Sequence, residues 1–234
     1  MIRSVEVLAG VLLLCLSAGC ATPLASRRAQ VLEKREVEMV IVPAGVLAID
    51  DQGRQLVVPH VEGSIRFGVF DDVDVQLKFD ESLIPELVVG WQFVGDPRVN
   101  EFAMTITAGG KVGILPPWST YSGSDALNGN LSLPFQLLID LPVGEESALY
   151  FGTRTILGSS FGLSGTSVAV TPGLLVGLSL NLGGFILQPE VGVNAPVFLS
   201  GGSVGLDAAV FAAVGVGFGS RFRLGGENAS PAAP

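Results

Sequence analysis

The residues that could do chemistry in this sequence are few. His60 is the only histidine, and Glu62 follows it two positions later. A histidine beside a carboxylate could serve as a general base, because its pKa lies near neutral pH. No group of serine, aspartate and histidine is evident around it. We therefore expect no catalysis, and we interpret His60 as a polar residue of a lumen or a loop.

A second candidate group consists of charged residues that recur at every other position of otherwise apolar stretches. In "SIRFGVFDDVDVQLKF", residues 64–79, the residues Arg66, Asp74 and Lys78 alternate with aliphatic and aromatic neighbours. Charges that share one face of a sheet could form a selectivity path or a network of paired side chains. The candidate network comprises Glu62, Arg66, Asp74, Lys78, Glu86, Asp140, Arg154, Glu190 and Asp207.

The sequence indicates no cofactor and no metal. "GGKVG" at 109–113 lacks the spacing of a phosphate-binding loop, and "DDQG" at 50–53 is too short for a calcium loop. Cys15 and Cys20 are the two cysteines, and Cys15 lies in a predicted leader. Only Cys20 then remains in the mature chain, which rules out an internal disulfide and a cysteine-based metal site.

The composition is unusually apolar for a chain without a long hydrophobic helix. Charged residues make up 15% of the 234 residues, apolar residues 48%, and there are 31 glycines. Soluble domains contain about 25% charged residues. The net charge of −9 argues against a nucleic-acid partner. Such a chain is either a dense all-β core or a membrane barrel.

The first twenty residues predict export. Arg3 is followed by an apolar run over 7–16, which is too short to span a bilayer but suits a secretory signal. The closing "LSAGC", residues 16–20, resembles the lipobox of bacterial lipoproteins. That resemblance implies a signal peptide over 1–19, lipid on Cys20, and, with Ala21 next, transfer to the outer membrane. Polar residues 20–37 are predicted to form a lipidated N-terminal tether.

Alternating apolar and polar residues continue from residue 38 to residue 224. A period of two predicts β-strands, and short clusters of glycine and aspartate predict the turns between them. We predict a β-barrel domain over 38–224 and a disordered C-terminal tail over 225–234. The predicted strands cover 38–49, 57–69, 73–79, 85–94, 101–109, 131–143, 148–157, 167–181, 185–197 and 203–224.

The less apolar face of these strands favours a closed barrel. It combines glycine, alanine, serine and threonine with the candidate network, whereas the other face carries leucine, valine, isoleucine and phenylalanine. Small residues with a few paired charges suit a narrow lumen, and bulky aliphatic residues suit a lipid-facing surface. We therefore predict an all-β fold, an antiparallel up-and-down transmembrane β-barrel of about 10 strands (8–12).

The predicted connections agree with this topology. Links after the even-numbered strands are short, such as "FDD" and "LGG", whereas the longest link, residues 110–129, follows an odd-numbered strand. Outer-membrane barrels have short periplasmic turns and longer outside loops. Residues 38–224 thus resemble small outer-membrane β-barrel proteins of Gram-negative bacteria. This resemblance implies membrane lipid and the outer-membrane insertion machinery as partners, with Phe222 as an internal equivalent of a terminal aromatic signal.

Two functions remain open at this stage. The first is a lipid-anchored outer-membrane barrel without catalysis, with a structural role or a role in passage or binding of a small solute of unknown identity. The second is a periplasmic lipoprotein with a soluble β-sandwich or lipocalin-like barrel that binds an apolar ligand. The two differ in which face of the strands is buried.

Overall fold

Ten antiparallel strand positions close on themselves to form a β-barrel. The computed structural model describes residues 24–49, 55–80, 84–115, 128–144, 146–162, 165–200, 203–205 and 210–224. No helix among these residues is long and apolar enough to cross a membrane. The strands are β1 (Glu36–Ile49), β2 (Gln55–Phe70), β3 (Val73–Phe79), β4 (Glu86–Val94), β5 (Ala103–Leu115), β6 (Asn128–Pro142), β7 (Ala148–Gly162), β8 (Gly165–Leu182), β9 (Phe185–Asn194), β10 (Val197–Ser200), β11 (Ser203–Gly205) and β12 (Val210–Arg223).

Closure of the barrel depends on pairing between its first and last strands. β1 pairs with β2 on one side and with β12 on the other, and β12 pairs with β9. β10 continues β9 along β8 after an interruption at residues 195–196, and β11 pairs with β10. β9 with β10, and β11 with β12, therefore each occupy one position. The predicted antiparallel barrel of ten strands is confirmed.

Most strands whose side chains are described have an exposed apolar face and a buried, mostly polar face. In β4 the exposed Leu87, Val89, Trp91 and Phe93 alternate with buried residues. This inside-out distribution is the opposite of a soluble sandwich or lipocalin-like barrel, whose apolar side chains fill the interior. Other large apolar residues at least 37% exposed include Ile41, Val61, Ile106, Leu131, Phe135, Leu149, Phe151, Leu174, Val176, Val191, Val193, Val214 and Phe218.

Four of the connections lie together at one end, which we call the short-turn end. It contains the turns between β2 and β3, β4 and β5, β6 and β7, and β8 and β9. The turn after β8 is made by Gly183 and Gly184, with φ of 69° and 93°. Most side chains disfavour these backbone angles, so glycine permits the tight reversal.

Several strands extend further than the sequence pattern indicated, and β7 continues to Gly162 instead of ending at residue 157. β5 ends at Leu115 instead of residue 109, and β6 begins at Asn128 instead of residue 131. The stretch "GGKVG" lacks regular alternation, but its backbone pairs with β6 from Lys111 opposite Ser132 to Leu115 opposite Asn128. Main-chain pairing therefore continues where side-chain periodicity fades. The predicted link 110–129 shrinks to residues 116–127, which lie outside the described residues.

Candidate functional site

The interior of the barrel is occupied by the chain's own N-terminal residues. Residues 24–32, which we call the inner segment, are each at most 7% exposed. A polar tether outside the folded body was expected over 20–37, and the structure differs from that expectation for this part. The physical reason is the barrel wall, whose inward carboxylates accept hydrogen bonds from the backbone and the arginines of the segment.

The inner segment rises from the short-turn end to about the middle of the barrel. At its base Arg35 donates its backbone N–H to Gly68 O at 3.0 Å, and Leu224 N–H donates to Arg35 O at 2.9 Å. At its top Leu24 packs with Val40, Val42 and Ala213. From residue 39 to residue 46 β1 is apolar on both faces, and the buried Val40 and Val42 of its inner face contact Leu24.

Wall side chains bind the backbone of the segment along its whole length. Asp140 accepts hydrogen bonds from two successive N–H groups, and Glu190 accepts from two others nearer the middle. Arg66, Thr105 and Arg154 donate to its carbonyls. The contacts are Ala25 N–H and Ser26 N–H to Glu190, Ala29 N–H (2.7 Å) and Gln30 N–H (3.0 Å) to Asp140, Val31 N–H to Gln92 (2.9 Å), Leu32 N–H to Asp74 (3.3 Å), Arg154 to Leu24 O (2.6 Å), Thr105 to Ala29 O and Arg66 to Gln30 O (3.0 Å).

Each of the two arginines of the inner segment forms an ion pair with an aspartate of the wall. Arg27 Nη1 lies 2.9 Å from Asp74 Oδ1, and both side chains are fully buried. Arg28 Nε lies 2.6 Å from Asp140 Oδ2, and its Nη2 donates to Asn100 Oδ1 at 2.6 Å. Charge-assisted bonds of this kind are stronger than neutral ones. The segment is therefore fixed by charge as well as by its backbone.

Arg66 connects the segment to the first strand. Its Nη1 lies 2.8 Å from Glu38 Oε1, and its Nη2 lies 2.5 Å from Asp74 Oδ2. Arg221 of β12 also pairs with Glu38 at 2.7 Å. Since Asp74 also holds Arg27, the segment and four strands share one network of charges.

The structure places most of the predicted network residues on the inner face of the barrel. Lys78 pairs with Glu62 at 3.0 Å, and Arg154 lies 3.5 Å from Glu86. Glu62 also accepts a hydrogen bond from Ser26 of the inner segment, and Tyr150 donates to Glu190 at 2.7 Å. Asp207 lies outside the described residues. The residues form several pairs and clusters around the segment instead of lining an open path.

Three residues that complete these clusters, Arg27, Arg28 and Glu38, are not part of the candidate network predicted from the sequence. Arg27 and Arg28 were assigned to the tether, and Glu38 was placed in a strand without a role. The sequence does indicate that cationic partners are missing from the candidate network, because the network holds six carboxylates and only three bases. Buried charges require partners, so such a lumen needs cations from elsewhere in the chain, and Arg27–Arg28 stand directly before the barrel.

His60 lies on the buried face of β2, as the inward-facing residues of the network do. His60 lies in β2, is 3% exposed and faces Ala44 of β1 across the ladder. Within the described ranges, no cluster of three or more histidine, cysteine, aspartate or glutamate residues could hold a metal ion. The geometry is suited to holding a bent peptide segment inside the barrel.

Substitution of Gly68 by alanine is expected to displace the inner segment. A Cβ atom at Gly68 would lie 1.8 Å from the backbone oxygen of Glu33. Because the atoms that it would meet belong to the main chain, the contact cannot be relieved by rotation of a side chain. Overpacking of this kind costs about 1–3 kcal/mol. We expect trypsin to cleave at Arg27 and Arg28 at least about 10-fold faster in folded Gly68→Ala protein, since 1.4 kcal/mol is a factor of ten.

Gly63→Ala is the matched control for that measurement. It lies in the same strand, and a Cβ atom there would have no atom within 4 Å. Its cleavage rate should equal that of the unmodified protein. Equal rates for Gly68→Ala and Gly63→Ala would contradict the close approach of Glu33 to β2.

Comparison with known proteins gives similarities of fold only. No protein-family model and no curated protein matches the chain. Neisserial surface protein A is 14% identical, with 80% of this chain and 97% of that chain covered at a TM-score of 0.40. Ail, the attachment invasion locus protein of Yersinia pestis, is 12% identical, with 81% and 100% covered at a TM-score of 0.33. The outer membrane protease OmpT from Escherichia coli is 9% identical, with 80% and 96% covered at a TM-score of 0.42.

Proposed function

We propose that the protein is a lipid-anchored outer-membrane β-barrel with a structural, non-catalytic role, whose lumen is closed by its own inner segment. It is exported through the periplasm and inserted by the outer-membrane insertion machinery. Its partners are membrane lipid and, when the lumen is vacated, a small solute or peptide. The observation that carries the proposal is the inverted distribution of side chains.

The apolar outer face supports a position in lipid. Ile41, Leu174 and Val214 are each 60% exposed, whereas Arg66, Asp74 and Asp140 are 0% exposed. Soluble monomers rarely expose continuous apolar patches of more than a few hundred Å². A membrane supplies the apolar surroundings that such a face requires, and a closed barrel leaves no unpaired strand edge in the hydrocarbon.

Spin labels at two neighbouring positions test this orientation. Phe135 lies at the centre of β6 and is 42% exposed, whereas Gln136 is 7% exposed and points into the barrel. In lipid vesicles, a label at 135 should collide more often with oxygen, which concentrates in hydrocarbon, and a label at 136 should not. A label at 135 that is more accessible to a water-soluble nickel reagent than to oxygen would refute the membrane position.

The closed lumen argues against an open pore as the resting state. The inner segment reaches from the short-turn end to about mid-height, and its backbone and arginines are bound by the wall. Passage of a small solute would therefore require the segment to leave. The acidic and basic groups of the lumen are engaged with one another and with the segment, which supports a structural role for them.

The proposed lipid on Cys20 places a demand on Leu24. Cys20 lies outside the described residues and precedes Leu24 by four positions, which an extended chain covers in at most about 14 Å. Leu24 packs against Val42, near the middle of the 14-residue β1, and seven strand residues extend about 23 Å. For the lipid to enter the bilayer with the segment in place, the chain from Cys20 to Leu24 and the lipid together must cover this height, which strand tilt of about 35–45° shortens.

Cys20→Ala tests the anchor separately from the barrel. Cells labelled with radioactive palmitate should incorporate label into the unmodified protein and none into the variant. The variant should nevertheless remain in the membrane fraction after carbonate extraction, because the barrel itself spans the membrane. Release of the variant by carbonate would instead support a soluble body held only by its lipid.

A further inference from the structure

We propose that the lumen of this barrel is a binding site for a bent, non-helical peptide with two adjacent arginines, and that the inner segment is its resident, displaceable ligand. The inference goes beyond the proposed function, because it concerns a site that would exist in the folded barrel with or without lipidation. The ligand class follows from three features of the contact between segment and wall.

The first feature is that the wall binds main-chain groups in both directions. Asp140 and Glu190 accept from N–H groups, while Arg66, Arg154 and Thr105 donate to carbonyls. Main-chain groups are the same in every peptide. A wall arranged in this way therefore provides affinity for a peptide backbone that bends at Ser26, where φ is 55°, and leaves the choice of peptide to the side chains.

The second feature is a pair of guanidinium positions at consecutive residues. Arg27 lies on Asp74, and Arg28 lies between Asp140 and Asn100. A Cβ atom at Gly90 would come within 2.5 Å of Arg27 Nη2, so β4 leaves space for this guanidinium. A planar fork of donors fits two acceptors better than a single ammonium does. The geometry therefore selects arginine over lysine.

The third feature limits the residues on either side of the arginine pair. Ala25 and Ala29 are at most 1% exposed and pack with Leu138, Tyr150 and Leu175 of the wall. Larger side chains at these two positions would collide with a filled interior. The preferred ligand is thus a bent peptide in which small residues flank the two arginines, as in Ala-Ser-Arg-Arg-Ala, residues 25–29.

The segment is held covalently only through the turn that leads into β1. Lys34 and Arg35 are exposed there, and Arg35 has a φ of 69°. All other contacts described above are non-covalent. In the emptied barrel Asp140 would lose all the donors it has within the described part of the chain, which are Arg28 and the N–H groups of Ala29 and Gln30. An arginine-containing peptide would restore those donors.

The test uses the full chain, folded first and cut afterwards. A specific protease site is inserted between Glu33 and Lys34, and the protein is folded in detergent and then cleaved. A synthetic peptide of residues 22–33, TPLASRRAQVLE, carries a fluorophore at its first residue. Fluorescence anisotropy then measures its exchange into the cut barrel. We expect the original segment to co-purify after the cut and the labelled peptide to replace it at a saturable, stoichiometric level.

Matched peptides separate specific binding from simple charge attraction. With both arginines changed to glutamine, competition should be at least about 100-fold weaker, because two charge-assisted hydrogen-bond sets are lost. With both arginines changed to lysine, competition should be about 10-fold weaker. A peptide of reversed sequence keeps the composition and both arginines, and it should compete no better than the lysine peptide because its backbone groups are out of register.

The outcomes decide the proposal in both directions. Labelled peptide that fails to bind, with the cut barrel still folded as judged by its migration without boiling, would overturn it. The proposal would also be overturned if the reversed or the lysine peptide competed as well as the unmodified peptide. The lumen would then attract cations without recognising the peptide sequence. The membrane proposal is tested independently by the spin labels, so failure of one leaves the other standing.

Discussion

The double variant Arg27→Glu, Arg28→Glu is expected to conduct ions across a planar lipid bilayer, whereas the unmodified protein is expected to remain closed. Arg27 and Arg28 rest on Asp74 and Asp140, and all four side chains are at most 3% exposed. Reversal of both charges would place carboxylate against carboxylate in a buried site. Like charges at such distances repel strongly at low dielectric, so the segment should leave the lumen.

The vacated lumen should prefer cations over anions. Asp140 would lose Arg28, Glu190 would keep only Tyr150 among its described hydrogen-bond donors, and Asp74 would keep only Arg66 and lose Arg27. Unpaired inward carboxylates favour cation passage. Reversal potentials in a potassium chloride gradient measure the preference, which we expect to fall when the salt concentration rises because of screening.

Arg27→Lys, Arg28→Lys is the control for this experiment. It keeps both positive charges and should stay closed or open only briefly. Migration without boiling shows whether each variant is folded. A folded glutamate variant that does not conduct would mean that the inner segment is not what closes the lumen, and conduction by the unmodified protein would mean the same.

Asp74→Asn is expected to lower the free energy of unfolding by about 3–5 kcal/mol, the cost of breaking a buried ion pair by removal of one partner. Asp74 lies between Arg27 at 2.9 Å and Arg66 at 2.5 Å and is 0% exposed. The amide keeps the size of the side chain but removes its charge, so two buried guanidinium groups lose their shared counter-ion. Urea unfolding in lipid vesicles, followed by gel migration without boiling, measures the change.

Asp96→Asn provides a comparison in the exposed turn between β4 and β5. Hydrogen bonds from Arg98, together with its charge, hold the pKa of the Asp96 carboxyl below its ordinary value. Asp96 is therefore negatively charged and forms an ion pair with Arg98. Its pair is open to solvent, and exposed pairs of this kind contribute little to stability. The Asp96 variant should unfold at an unchanged urea concentration. A similar loss at both positions would mean that Asp74 is not in a dry interior.

The orientation of most side chains could be predicted from the sequence because a strand repeats every two residues. Phe135 against Gln136, and Val75 against Asp74, could be assigned to opposite faces without coordinates, and the structure has the same assignment. The ends of the strands were harder to predict from this alternation. In "GGKVGIL" the periodicity weakens, and only pairing with the neighbouring strand shows that β5 continues to Leu115.

The sequence by itself determined the β-structure, the two faces of each strand and the number of strand positions, since alternation and turn residues are local properties. Only the tertiary structure decided where residues 24–32 lie. Nothing in "LASRRAQVL" alternates or carries a strand signal, and its conformation is imposed by groups more than 40 residues away in Asp74, Asp140 and Glu190. The partners of a buried charge depend on which residues the fold brings close together, and the spacing of residues along one segment does not show which residues those are.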